Sequence, residues 1–463
     1  MTGVEAAVRT INPHRPSEVV FETRSSGPDG VERAVARARD AFPEWARRPA
    51  AERSAALHEI ASELEARAQE IVRLTVKEVG KPVTEARSEV GRAIAIWRFY
   101  AQMALAPDGE TFPAPDARAW LIARRYPLGV CALIVPWNFP VAIQSWKVAP
   151  AVAYGNTVVV KPAPESSGVA ALLYEIAARH LPERVVVIVY GDAETGEPLV
   201  EHPDVAGVSF TGSVKVGHVV AGKAAGRGAK VQCEMGGQNP AIVLADADLD
   251  AAARTIVYSA MAYAGQKCTA TSRVVVESDV YDEFRDRLVA AVEAMEVVDP
   301  EMDSCEVGPL IREESRADAL DAISRGGGTT LTGGKSLDVD GFYLAPTLVE
   351  LEDTTSVLAK EEVFAPVTAV LKASSTDEAL KIANDVPYGL VAGLYTSDLE
   401  RAMTLVGRIE AGLVRTNAPT TGAEYYAPFG GSKASSIGPR EQGPAARDFY
   451  TESRTFLIAP PAS

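Results

Sequence analysis

The feature that most limits how this chain folds is a series of short apolar segments, separated by helical ones, that begins after Leu128. Val130 to Val135, Thr157 to Val160, Val185 to Val189 and Ala206 to Phe210 each read as a strand without polar alternation. That is the pattern of strands buried on both faces. Between them a helix is predicted from Val141 to about Ala153, kinked at Pro150, and another from Gly168 to His180. Strand–helix alternation of this kind gives a parallel sheet covered by helices, so the fold class is α/β. A second alternating region spans roughly Asn239 to Gly438, with strands at Ala241–Leu244 and Arg273–Glu277.

Upstream, Gly30 to about Ala104 is rich in Ala, Glu and Arg. It carries apolar stripes at helical spacing: Val31, Val35, Ala38, Phe42 and Trp45, then Leu57, Ile60, Leu64 and Ala68. Pro107 to Pro115 breaks that pattern. Ala119 to Tyr126 alternates as a strand or ribbon, and Thr451 to Ile458 is a further strand. With 463 residues the chain exceeds what one core fills, so two or three domains are expected.

The formal charge of −16 argues against nucleic acid and anionic membranes as partners. It leaves room for a phosphate-bearing cofactor held by local lysines and backbone amides. Met1 to Thr10 lacks the pattern of a secretion signal, and the most apolar stretch, near Leu128 to Ile143, is shorter than a membrane span. Cys131, Cys233, Cys268 and Cys305 are widely spaced, with no C-x-x-C pair. Neither a metal site nor a redox pair is expected, and reduced thiols in the cytoplasm fit.

Five constellations carry possible chemistry, each with a plainer alternative. Phe210-Thr211-Gly212-Ser213 follows an apolar strand and opens a helix, where glycines let amides approach a pyrophosphate; an ordinary strand–helix turn has the same composition. Lys161 closes a buried strand at the edge where open α/β sheets bind ligands, or is simply a solvated strand end. In Pro136-Trp137-Asn138-Phe139-Pro140 the Asn138 amide either stabilises an oxyanion or caps a turn. Glu234, among apolar residues and glycines, suits a general base with a raised pKa, or is a carboxylate held by the Gly236–Gly237 amides. Cys268 sits in a small-residue turn beside Lys267, which would lower the thiol pKa if it pointed inward; the alternative is an inert thiol.

Together these segments resemble the aldehyde dehydrogenase superfamily, in the same order and over nearly the whole chain. Lys161-Pro162, Glu234-Met235-Gly236-Gly237, Gly265-Gln266-Lys267-Cys268, Glu361-Glu362-Val363-Phe364-Ala365-Pro366-Val367 and Pro428-Phe429-Gly430-Gly431 complete the set, and the 34 residues separating Glu234 from Cys268 match as well. The resemblance implies an oxidoreductase using NAD or NADP, with Cys268 as nucleophile, Glu234 as base and Asn138 with the Cys268 amide as oxyanion hole. Lys147 would help relay protons. Lys161 and Glu362 would hold the two riboses, Gly212 and Ser213 the pyrophosphate, and Trp137 and Phe364 would line the nicotinamide side. It further implies cofactor-binding segments 1–114 and 129–235, a catalytic segment 236–445, and bridging strands in 115–128 and 446–463 that build a homodimer or homotetramer.

Three departures stand out. Pro164 occupies the place of a ribose-binding Glu, the carboxylate coming one residue later at Glu165, so NADP use is plausible. Met235 replaces the usual Leu, a mild apolar swap. Ser435-Ser436 stands where many relatives have Ser-Gly, a change expected to affect only a loop. The stretches Asn417 to Gly422 and Pro439 to Gly443 look like those of 2-oxoglutarate semialdehyde dehydrogenases. Lys267 and Arg415 would then meet an anionic tail. Alternatively Ile143, Trp146, Tyr425, Tyr426 and Phe429 form an apolar tunnel for aromatic or aliphatic aldehydes. Glu234 disfavours a coenzyme-A-acylating relative, and joint retention of Cys268, Glu234, Asn138, Lys161 and Glu362 disfavours a silent one.

Overall fold

The computed structural model describes residues 7–461. Residues 1–6, part of the stretch read as lacking a leader pattern, lie outside it, as do the last two of the 446–463 segment.

The apolar runs form a six-stranded sheet in the order Ser436–Ile437, Lys230–Met235, Val205–Gly212, Val130–Val135, Thr157–Pro162, Val186–Ile188. All neighbours are parallel except the first pair. Val130–Val135 and Thr157–Pro162 are buried throughout, as unbroken apolar strands must be. The second region builds a seven-stranded sheet in which Asn239–Val243, Thr271–Glu277 and Val367–Ala373 are central. A third sheet joins Thr451–Ile458, Trp120–Pro127 and Gly109–Phe112, all antiparallel.

The Gly30–Ala104 region becomes four helices: Gly27–Arg47, Ala50–Ala66, Ala68–Val79 and Val83–Met103. The stripe Leu57, Ile60, Leu64 is buried, but Ala68 belongs to the next helix, beyond a break at Arg67. Pro49 stops the first helix, and Gly80 in the left-handed region followed by Pro82 stops the third. Ala142–Ala153 runs through Pro150 as one fully buried helix. Two elements lay outside the sequence reading. A hairpin of Ala7–Asn12 and Arg15–Arg24 has one apolar run, short and set between charged residues, and Gly109–Phe112 is an exposed edge strand inside the proline-rich stretch. Among the described residues no helix is long and apolar enough to cross a membrane.

Candidate active site

A cleft of about 480 Å³ opens at the carboxyl ends of Val130–Val135, Thr157–Pro162 and Val205–Gly212. Trp137, Lys161, Gly212 and Ser213 line it, so the turns singled out in sequence converge where open α/β sheets bind ligands. Ser213 caps the helix Val214–Gly226 by accepting from the Val216 amide. Lys161 Nζ donates to the carbonyls of Gly191 (2.6 Å) and Pro162 (3.0 Å), and burial lowers its pKa to about 8. Among the described residues the Thr211 hydroxyl is buried without a partner, and Val216 and Val219 present exposed apolar walls. Polar donors at one end and bare apolar walls at the other fit a dinucleotide.

Glu362 accepts from the Gly237 amide at 3.1 Å, and enclosure pushes its carboxyl up to about 7. A Cβ on Gly236 would sit 1.8 Å from the Glu362 carboxylate, so only glycine lets that side chain lie there. Phe364, itself at φ 55°, meets Trp137 edge to face at 5.8 Å between ring centroids.

Cys268 faces a separate tunnel of about 190 Å³. The turn before it holds three consecutive left-handed residues: Tyr263, Ala264 and Gly265 at φ 57°, 53° and 65°. For the first two, each such conformation costs roughly 1–2 kcal/mol. Packing enforces it: the Gly265 position lies against the Ala365 carbonyl, where a Cβ would approach to 2.3 Å. Asn239, absent from the sequence reading, donates through one amide nitrogen to the carbonyls of Cys268 and Ala270, both at 2.8 Å. Asn138 is buried and spends one N–H on the Gln266 carbonyl at 3.0 Å, which orients the other. The thiol keeps some solvent contact, yet desolvation, with Glu362 and Glu234 nearby, pushes its pKa up to about 12.

Glu234 is the last residue but one of the strand Lys230–Met235 and is 2% exposed. Burial, then the charge of Glu441, raises its pKa well above the usual carboxyl range, opposed by a hydrogen bond from Ser436. That bond corrects the expectation that Ser436 affects only a loop. Its Oγ accepts from the Gly431 amide and donates its one hydrogen to Glu234 Oε2, both at 2.6 Å. Lys147 is fully buried and donates to Ser209 at 2.7 Å, but its ion pair is with Glu441, which the sequence placed in the Pro439 to Gly443 stretch without a role.

Three further expectations change. The ammonium of Lys267 is paired with Glu85 at 2.7 Å rather than with the Cys268 sulfur, and the thiol's pKa is raised, not lowered. Ile143, Trp146, Lys267 and Phe429 line the tunnel, whereas Tyr425 lies outside it, packed on Phe99 and Tyr426. Arg415 donates to the Gly422 carbonyl at 2.6 Å and is no part of the lining. The tunnel's arginine is instead Arg92, from a helix whose role no local motif reveals.

A strained cysteine turn beside a buried acid, adjoining a dinucleotide-shaped cleft, defines a cofactor-dependent oxidoreductase with a thiol nucleophile. The pattern of the aldehyde dehydrogenase family matches residues 2–456, and the chain belongs to that family. It is 41% identical to an alpha-ketoglutaric semialdehyde dehydrogenase of Bacillus subtilis, over 98% of this chain and 95% of that one. It is 38% identical to a 2,5-dioxopentanoate dehydrogenase of Saccharolobus solfataricus, over 96% and 95%. The crystal structure of an NAD-dependent aldehyde dehydrogenase from Sinorhizobium meliloti superposes with a TM-score of 0.96 at 34% identity, covering 99% of this chain and 93% of that one. The protein is an NAD(P)-dependent aldehyde dehydrogenase, oxidising an aldehyde to the acid through a cysteine thiohemiacetal and thioester.

Proposed function

We propose that Cys268 is the nucleophile of this oxidation, Glu234 its general base, and a 2-oxo-acid semialdehyde its substrate. One observation carries the reading: the Cys268 turn touches both the tunnel and Asn138, while Glu234 and Glu362 lie close enough to raise the thiol's pKa.

The Cys268 thiol gives its proton to solvent water, and the thiolate attacks the aldehyde carbon. The resulting alkoxide receives the free N–H of Asn138 and the Cys268 amide, donors fixed before the reaction begins. Bound nicotinamide supplies the hydride acceptor. Glu234, whose desolvated carboxyl holds protons tightly, takes one from the water that attacks the thioester, and the acid leaves as the thiol is restored. Lys147 holds Glu441 beneath this base and so sets the charge it feels.

Lys161 and Glu362 serve the two riboses, Gly212 and Ser213 the pyrophosphate, and Trp137 and Phe364 the nicotinamide side. Pro164 leaves no carboxylate at its place, and Glu165 is paired with Arg312 at 2.5 Å, so the rim tolerates a 2′-phosphate and the cofactor is NAD or NADP. The semialdehyde reading is supported by the two full-length relatives of that activity. Segments 1–114 and 129–235 form the cofactor-binding domain and 236–445 the catalytic one. The strands Trp120–Pro127 and Thr451–Ile458, within the bridging segments 115–128 and 446–463, expose Trp120, Leu457 and Ile458, an apolar face suited to a second copy in a homodimer or homotetramer. Four unpaired cysteines suit the cytoplasm.

The test is steady-state kinetics, read by absorbance of the reduced cofactor. The panel comprises 2-oxoglutarate semialdehyde, benzaldehyde and pentanal, each with NAD and NADP, with and without coenzyme A. The semialdehyde is expected to give the highest kcat/KM, independent of coenzyme A. A preference for benzaldehyde or pentanal would reject the substrate assignment.

A further inference from the structure

We propose that Arg92 is the tunnel's carboxylate-binding residue, selecting aldehydes that carry an acid at the other end; this rests on the semialdehyde reading above. The helix Val83–Met103 lays Glu85, Ser88, Glu89 and Arg92 along the tunnel, at the i, i+3, i+4 and i+7 spacing of one helical face. The other charges in the lining are already matched. Glu85 takes Lys267 at 2.7 Å and the Tyr258 hydroxyl at 2.8 Å. Glu89 takes Lys81 and the amides of Val141 and Ala142, at 2.8 and 2.9 Å.

Arg92 differs. Its hydrogen bond goes to a neutral group, the Ala423 carbonyl, and among the described residues it has no carboxylate partner. A guanidinium has five N–H groups in a planar fork, so most remain for a carboxylate, in the bidentate geometry arginine favours. A second donor stands in the same lining: the Trp146 indole N–H is buried with no acceptor among the described residues. In the same lining Ile143 and Phe429 offer apolar surface to a methylene chain. A tunnel that holds one nucleophilic sulfur and one uncompensated cation matches a short chain with an aldehyde at one end and a carboxylate at the other. Through Ala423 the same arginine also braces the loop that closes the tunnel wall.

The experiment compares wild type, Arg92→Leu and Arg92→Lys on 2-oxoglutarate semialdehyde and on pentanal, with product inhibition by 2-oxoglutarate measured against pentanal. Losing a charge-assisted contact is expected to lower kcat/KM for the semialdehyde about 10- to 100-fold relative to pentanal in Arg92→Leu, mainly through KM. Arg92→Lys should recover part of the preference, and 2-oxoglutarate should inhibit wild type but not Arg92→Leu. If Arg92→Leu loses both substrates in equal proportion, or keeps the semialdehyde preference and the inhibition, the role is overturned while the substrate reading stands. If wild type itself prefers pentanal, the substrate reading falls and this role with it.

Discussion

The cofactor cleft and the aldehyde tunnel share the turn from Pro136 to Pro140, Trp137 lining the one and Phe139 the other, but are built in opposite ways. The cleft gathers the carboxyl ends of buried strands and the residues just after them, each contiguous in sequence: Trp137, Lys161, and Gly212 with Ser213. Its donors include backbone amides and a helix start, so its shape follows from topology. The tunnel draws single side chains from helix Val83–Met103, helix Ala142–Ala153, the cysteine turn and the loop from Pro419 to Phe429. Its specificity resides in which charges remain unpaired after folding. One half of the site is therefore common to many chains of this architecture, and the other is particular to this one.

Three substitutions sharpen that contrast. The largest effect is expected at the junction. Glu234→Gln removes the proposed base, and steady-state turnover should fall about 10²- to 10⁴-fold while a full burst of reduced cofactor persists. Stopped-flow absorbance separates the two, and equal loss of burst and turnover would reject the role. Next, Lys161→Met strips a buried cation from the cleft. The KM for cofactor should rise about 10- to 100-fold, with the preference among aldehydes unchanged. A change in aldehyde preference would show that cleft and tunnel are not separable.

The smallest effect is expected for Ser436→Ala. The Ser436 hydroxyl favours the ionised form of Glu234, so its loss raises the base's pKa. The rising limb of the deacylation rate against pH should move to higher pH, with a several-fold slower rate below it. An unmoved profile would reduce Ser436 to a loop residue after all.

The contrast also explains what the sequence disclosed. Trp137, Asn138, Lys161, Glu234 and Cys268 lie in short runs whose composition is unusual for its place: prolines around a polar turn, a lysine ending an apolar strand, a carboxylate among glycines. Arg92 has no such setting, being one of several arginines on an amphipathic helix, and only folding turns it toward the tunnel while Glu85 neutralises Lys267. Glu441 and Asn239 were hidden for the same reason, since their partners Lys147 and Cys268 lie 294 and 29 residues away. Ser436 was misread because its strand is two residues long and gains its meaning from antiparallel pairing with Glu234. Long parallel strands were legible from composition, while the hairpin Ala7–Asn12 and Arg15–Arg24 was not, because its one apolar run, Val19 to Phe21, is short and set between charged residues.

The covalent step at Cys268 is tested most directly by mass spectrometry of Glu234→Gln, quenched just after mixing with cofactor and aldehyde. The protein should gain the mass of one acyl group, and peptide mapping should put that group on Cys268. An unmodified protein after a full burst, or an acyl group on Cys131, Cys233 or Cys305, would contradict it.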